Sequence, residues 1–186
     1  NTGEIVQCDD CMTIARPWDH GRAALIYSGV GRRIVLGFKH GDRTDLARPA
    51  AIWMARMARP LLHDDTVLVP VPLHWMRRVK RRYNQAALLA LALGSQLRVP
   101  VCADALLRPK KTNPLEGHGR DARFAALCGA ITYNPKRVNE IAGKSILLID
   151  DVMTSGATLA ASAEAAKEAG AKNVSIVTLA RVVKDA

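Results

Sequence analysis

The sequence predicts an α/β fold, a central and mostly parallel sheet flanked by helices, from three observations. Ile146, Leu147, Leu148 and Ile149 form an unbroken aliphatic run that ends in Asp150 and Asp151. Runs that are apolar at every position suit strands buried on both faces, as in parallel sheets. Val67, Leu68 and Val69 make a shorter run of the same kind behind Thr66, and the segment 174–179, four aliphatic residues with Ser175 and Thr178 among them, reads as a last strand. Helix signals alternate with these runs: Asn84 is a good N-cap for 85–97, and an alanine-rich stretch, 159–169, ends at the C-cap Gly170.

In chain order, 22–27 reads as a short strand, with Gly29 and Gly31 as turn residues behind it. Segment 32–40 is compatible with helix or strand, and its basic ends suggest a short amphipathic helix. A helix then runs from a cap at Thr44 or Asp45 to about Arg59, with Pro49 near its first turn and Pro60 as its stop. The strand at 66–69 exits through Pro70 and Pro72, which fix an extended path. After the helix 85–97 come a short strand at 99–102 and a long low-order region at 108–121, which carries two glycines and two prolines. A turn at Asn134 and Pro135 leads to the strand at 146–149, the helix 159–169 and a last strand that ends in Ala180 and Arg181.

With 186 residues, 49% of them hydrophobic, the chain suits one compact domain. It has no apolar run of the roughly 18 residues a membrane span requires. Twenty-seven Lys and Arg against 17 Asp and Glu give a net charge of +10, which points to an anionic partner: nucleic acid, a membrane surface or phosphorylated small molecules. Cys8 and Cys11 have zinc-ligand spacing without a second such pair, so they read as half of a zinc ribbon. Cys102 and Cys128 read as ordinary buried residues. Free thiols without a disulfide framework imply a reducing, cytoplasmic setting.

The chemistry concentrates at two strand exits. After Asp151, the small residues Thr154, Ser155, Gly156, Ala157 and Thr158 lead into a helix, whose N-terminus offers N–H groups and partial positive charge to an anion such as phosphate. After Pro72, Leu73 and His74 precede a basic run of Arg77, Arg78, Lys80, Arg81 and Arg82. Arginine forks there favour polyphosphate. Arg108, Lys110 and Lys111 would give the long loop the charge of a lid. Asp150 and Asp151 are neighbours in an extended strand, so both reach one ligand only if the strand ends there and the chain turns.

Residues 146–158 resemble the thirteen-residue signature of the type I phosphoribosyltransferases, which bind phosphoribosyl pyrophosphate (PRPP). Within that superfamily, 69–75, the basic run into Arg82, Tyr83, Asn84 and Gln85, and the ending Leu179, Ala180 and Arg181 resemble the competence protein ComF family. The resemblance implies the type I phosphoribosyltransferase fold with a small N-terminal hood, over 21–186. It makes 1–20 the remnant of an N-terminal zinc ribbon, with Cys8 and Cys11 as its surviving half, or else a flexible lead-in. Asp150 and Asp151 would be the catalytic acids that hold the ribose hydroxyls. Thr154, Ser155, Gly156, Ala157 and Thr158 would hold the 5′-phosphate. Leu73, His74, Arg78, Arg81 and Arg82 would meet the pyrophosphate, with Mg²⁺ carried mainly by PRPP near the two acids. The acceptor would lie by Leu179 to Arg181 and the hood. Arg82 stands where the family usually has glycine, Leu115 where a Gln often follows the lid's proline, and Ala126 where an Asn often stands. The last two bear on lid chemistry.

Two functions follow as expectations. One is a Mg²⁺-dependent phosphoribosyltransferase whose acceptor, a nucleobase or another nucleophile, is unidentified. The other is a non-catalytic or weakly catalytic, PRPP- or nucleotide-binding accessory protein of DNA uptake that uses the basic run on single-stranded DNA, with competence proteins as further candidate partners. The low aromatic content, 4%, favours the first, because single strands are usually held on aromatic platforms. A homodimer is compatible with either.

Overall fold

A computed structural model of the chain describes residues 15–40, 43–73, 83–109, 124, 127 and 129–183. Four parallel strands make the central sheet: β1 (His20–Ile26), β2 (Thr66–Pro70), β5 (Ser145–Met153) and β6 (Asn173–Arg181), in the spatial order β1-β6-β5-β2. A two-stranded antiparallel ribbon, β3 (Leu106–Leu107) with β4 (Thr132–Tyr133), stands apart. The helices are α1 (Gly29–His40), α2 (Ala47–Ala58), α3 (Gln85–Leu97) and α4 (Ala157–Glu168). The α/β class and its parallel sheet are therefore as the aliphatic runs predict.

Alternation along β5 divides the core in two. Ile146 and Leu148 face a cluster with α4 and the β3–β4 ribbon, while Leu147 and Ile149 face α1, α2 and α3. Leu147, Leu148 and Ile149 are fully buried. Burying each aliphatic side chain contributes about 1.5–3 kcal/mol, so this strand anchors both layers. Alanines at 160, 161, 163, 165 and 166 let α4 lie close on the sheet. Gly170 ends that helix at φ 86° in a Schellman arrangement, in which Ala171 N–H bonds Ala166 O (3.1 Å) and Gly170 N–H bonds Lys167 O (2.9 Å).

Segment 32–40 is helical, within α1. The helix expected from Thr44 to Arg59 is split into 3₁₀ turns at Thr44–Leu46 and Arg59–Leu61 around α2. Neither Thr44 nor Asp45 caps it. Leu46 occupies the N-cap position, and Asp45 instead takes two bonds from Arg43, at 2.8 Å each. That guanidinium holds the Asp45 carboxyl below its usual range. The strand expected at 99–102 is reduced to one parallel bridge between Val101 and Leu68. Pro100 accepts from Leu68 N–H (2.9 Å) but has no N–H with which to extend a ladder.

Candidate functional site

Asn84 caps α3 as its sequence predicts, taking Ala86 N–H on its side-chain oxygen at 3.0 Å. Its Nδ2 donates to Val71 O at 3.1 Å, which ties the helix start to the exit of β2. Val71 N–H in turn bonds Ile149 O at 2.9 Å, so this exit runs beside β5 at the residue before Asp150. Beyond it the chain diverges. α3 packs on the face shared with α1 and α2, and α4 crosses the other face to β6. Open α/β sheets bind ligands in the crevice such a divergence leaves beyond the strand ends.

On the β5 side of the crevice, Asp150 and residues 152–159 line one concavity, which includes Thr154, Ser155, Gly156, Ala157 and Thr158. Gly156 is the N-cap of α4 at φ 81°, a left-handed conformation that strains any residue with a Cβ. A Cβ there would stand 3.1 Å from Trp18 Cη2 and 3.3 Å from Arg16 Nη1. Gly156 O accepts the first intrahelical bond, from Ala160 N–H at 2.8 Å. Gly156 has no side chain with which to cap this helix, and Ser155 Oγ accepts Ala157 N–H at a long 3.4 Å. That bond engages one hydroxyl of the stretch, and the helix end presents its dipole to the concavity.

The strand does not end at the acid pair, as a shared ligand would require; β5 continues through both acids to Met153. Strict alternation nevertheless lapses over them. Ile149 and Val152 both pack with the α1–α3 cluster, Met153 packs with the α4 cluster, and Asp151 N–H bonds Asp150 Oδ1 at 2.8 Å. An unbroken period of two would put residues 149 and 152 on opposite faces. The lapse removes the geometric bar to a common target. Asp150 lines the concavity and Asp151 is not part of that lining; both are part-buried.

Leu73 is part-buried at the β2 exit and Arg108 part-buried after β3. His74, Arg78, Arg81, Arg82, Lys110, Lys111, Leu115, Ala126, Cys8 and Cys11 lie outside the described residues. At the end of β6, Leu179 and Ala180 are wholly buried, which leaves Arg181 as the part-exposed side chain of that trio. Ile26, which pairs with Arg181, and Val30 and Val183 are exposed apolar residues at this edge.

Two residues of the lead-in belong to the site without having been anticipated. Arg16 Nη1 donates to Ser155 O at 3.2 Å, and its guanidinium lies 5.3 Å from the Trp18 ring centroid and 5.8 Å from that of Phe124. Trp18 is buried, and Asp19 exchanges bonds with Val174, its N–H to Val174 O (2.8 Å) and Val174 N–H to its Oδ2 (2.9 Å). Packing on the domain thus begins ahead of residue 21. The available signal was a tryptophan directly before a strand.

The profile of the phosphoribosyl transferase domain matches residues 46–185. Competence protein F of Haemophilus influenzae is 32% identical over 114 residues, 61% of this chain and 49% of that protein. Competence protein ComFC of Bacillus subtilis is 36% identical over 116 residues, 62% of this chain and 44% of that protein. The chain therefore matches about half the length of these two relatives, which bear out the ComF resemblance. The DNA utilization protein YhgH of Escherichia coli O157:H7 is 24% identical over 188 residues, 98% of this chain and 81% of that protein.

Proposed function

The chain belongs to the phosphoribosyl transferase domain family, and from that premise we propose that it binds PRPP across the crevice and transfers the phosphoribosyl group to an acceptor, releasing pyrophosphate. The observation that carries this reading is the β5 exit, where a carboxylate, the three small loop residues Thr154, Ser155 and Gly156 and the N-terminus of α4 line one concavity. Backbone N–H groups of the loop hold the 5′-phosphate, with Gly156 allowing close approach. Asp150, joined by Asp151, accepts hydrogen bonds from the ribose hydroxyls. The β2 exit at Leu73, with the basic run that follows it, receives the pyrophosphate.

In the reaction an acceptor nucleophile forms a bond to the anomeric carbon. The bond from that carbon to the pyrophosphate oxygen breaks, its electron pair leaves with pyrophosphate, and the acceptor loses a proton. The chain's own work is to align the partners and to meet developing charge with fixed dipoles. Among the described residues no cluster of three or more His, Cys, Asp or Glu forms a metal cage. Two adjacent carboxylates beside a phosphate cradle suit Mg²⁺, which commonly takes one or two carboxylates and shares phosphate oxygens. When bound near Asp150 and Asp151, Mg²⁺ supplies charge neutralisation to the leaving group. The exposed apolar surface of Ile26, Val30 and Val183 beside Arg181 suits a flat heterocyclic acceptor. The test is phosphorus NMR of magnesium PRPP with a panel of nucleobases, in which pyrophosphate release that depends on one base is expected. Binding of PRPP without release to any base would leave a binding protein rather than a transferase.

A second reading has specific support in the relatives' names: two are competence proteins and one a DNA utilization protein. On this reading the +10 chain works in DNA uptake and its basic run contacts single-stranded DNA. Anisotropy of a labelled oligonucleotide, titrated with and without PRPP, separates the two. Tight, strongly salt-dependent binding that PRPP does not displace favours the second reading.

A further inference from the structure

We propose that Arg16 is a positioning residue of the phosphate loop, a role that rests on reading that loop as the 5′-phosphate cradle. Arg16 and Ser155 are 139 residues apart, yet Arg16 Nη1 donates to the Ser155 carbonyl at 3.2 Å. The peptide between Ser155 and Gly156 is trans and planar, so its carbonyl and its N–H point in opposite directions. Drawing the carbonyl towards Arg16 turns the Gly156 N–H away from the lead-in segment. Gly156 O is pinned in its turn by Ala160 N–H at 2.8 Å. The two peptides that flank Gly156 are thereby held from both sides.

The guanidinium itself is held by its surroundings. It lies within cation–π range of Trp18 and of Phe124, and its Nε is buried with no hydrogen-bond partner among the described residues. A surface arginine kept for solubility would leave that nitrogen in water. Placed against two rings, the charge stands behind the loop in a poorly solvated setting, where it acts on an anion more strongly than it would in water. Lysine does not replace it, because a point ammonium cannot lie flat on rings while donating in its own plane. Phe124 follows the long region 108–121 in sequence and Trp18 precedes β1, so Arg16 links the lead-in, Phe124 and the loop at Ser155.

The prediction concerns one end of the substrate. Ribose 5-phosphate and magnesium pyrophosphate are titrated separately by calorimetry into the parent chain, Arg16→Lys and Arg16→Ala, with circular dichroism as a check on folding. Both variants should bind ribose 5-phosphate about tenfold more weakly, the scale of one charge-assisted hydrogen bond, with pyrophosphate affinity unchanged. Added methylguanidinium should restore ribose 5-phosphate binding to Arg16→Ala and not to Arg16→Lys. Equal ribose 5-phosphate affinity in all three proteins would overturn the role of Arg16 while leaving the cradle standing. Equal loss of both ligands, without rescue, would reduce Arg16 to a general packing residue and likewise overturn it. A parent chain that does not bind ribose 5-phosphate would remove the cradle, and this role with it.

Discussion

The two strand exits that flank the crevice end in helices built to opposite plans. After β2, Asn84 closes its own helix, taking Ala86 N–H on one side-chain atom and giving the other to Val71 O. After β5, a glycine at φ 81° starts α4 with no side-chain cap. Every helix begins with orphan N–H groups that something must satisfy. At α3 an asparagine N-cap takes one of them at 3.0 Å, whereas α4 has a glycine N-cap and a single 3.4 Å contact from Ser155 Oγ beside a carboxylate, a plan that suits an external anion.

The largest expected effect comes from the acids beside the open end. Asp150→Asn combined with Asp151→Asn should weaken magnesium PRPP binding on the order of a hundredfold, since each charged acceptor is worth about 1.5–3 kcal/mol. Calorimetry checks it, and unaltered heats would detach the acids from the site.

Gly156→Val strikes the open end itself. A left-handed non-glycine residue costs roughly 1–2 kcal/mol, and the new Cβ would press on Trp18 Cη2 and Arg16 Nη1. Ribose 5-phosphate binding should weaken roughly tenfold and the melting temperature should fall. Unweakened binding would break the contrast between the two helices.

Asn84→Ala strikes the closed end and should cost about 1 kcal/mol in denaturant unfolding. Its ribose 5-phosphate titration should overlay that of the parent. If that affinity fell while stability held, the β2 exit would have to be redrawn as part of the cradle.

The smallest effect lies away from the crevice. Burial, followed by the acidic neighbours Glu140 and Asp104, pushes the Cys102 thiol from its ordinary 9.0 up to about 12. Because the folded value is the raised one, its contribution to stability is whole below pH 9.0 and is lost as pH rises towards about 12. At pH 8 iodoacetamide should leave Cys102 unmodified in the folded chain and alkylate it in urea, as read by peptide mass spectrometry. Modification of the native protein would show that this part of the core opens.

Much of this was legible locally. The runs at 67–69 and 146–149 predicted their strands, because parallel strands covered on both faces must be apolar at consecutive positions, and 174–179 forms one although it buries Ser175 and Thr178. Asn84 and Gly170 predicted helix ends, because capping is settled within a few residues. The ribbon of β3 and β4 escaped notice because two residues per strand carry no period. Thr44 and Asp45 read as caps until Arg43 claimed the carboxylate.

The sequence by itself determined the local path of the β5 exit. An aliphatic run, an acid pair, small hydroxyl residues and a glycine specify strand, turn and helix start through short-range sterics and hydrogen bonding. Only the tertiary structure decided which neighbours serve it. It set the β2 exit alongside through the bond from Val71 to Ile149, and it laid Arg16 and Trp18 behind the loop. Those contacts join residues many tens of positions apart, and no local pattern specifies them; they follow from strand order and from which apolar faces must be covered.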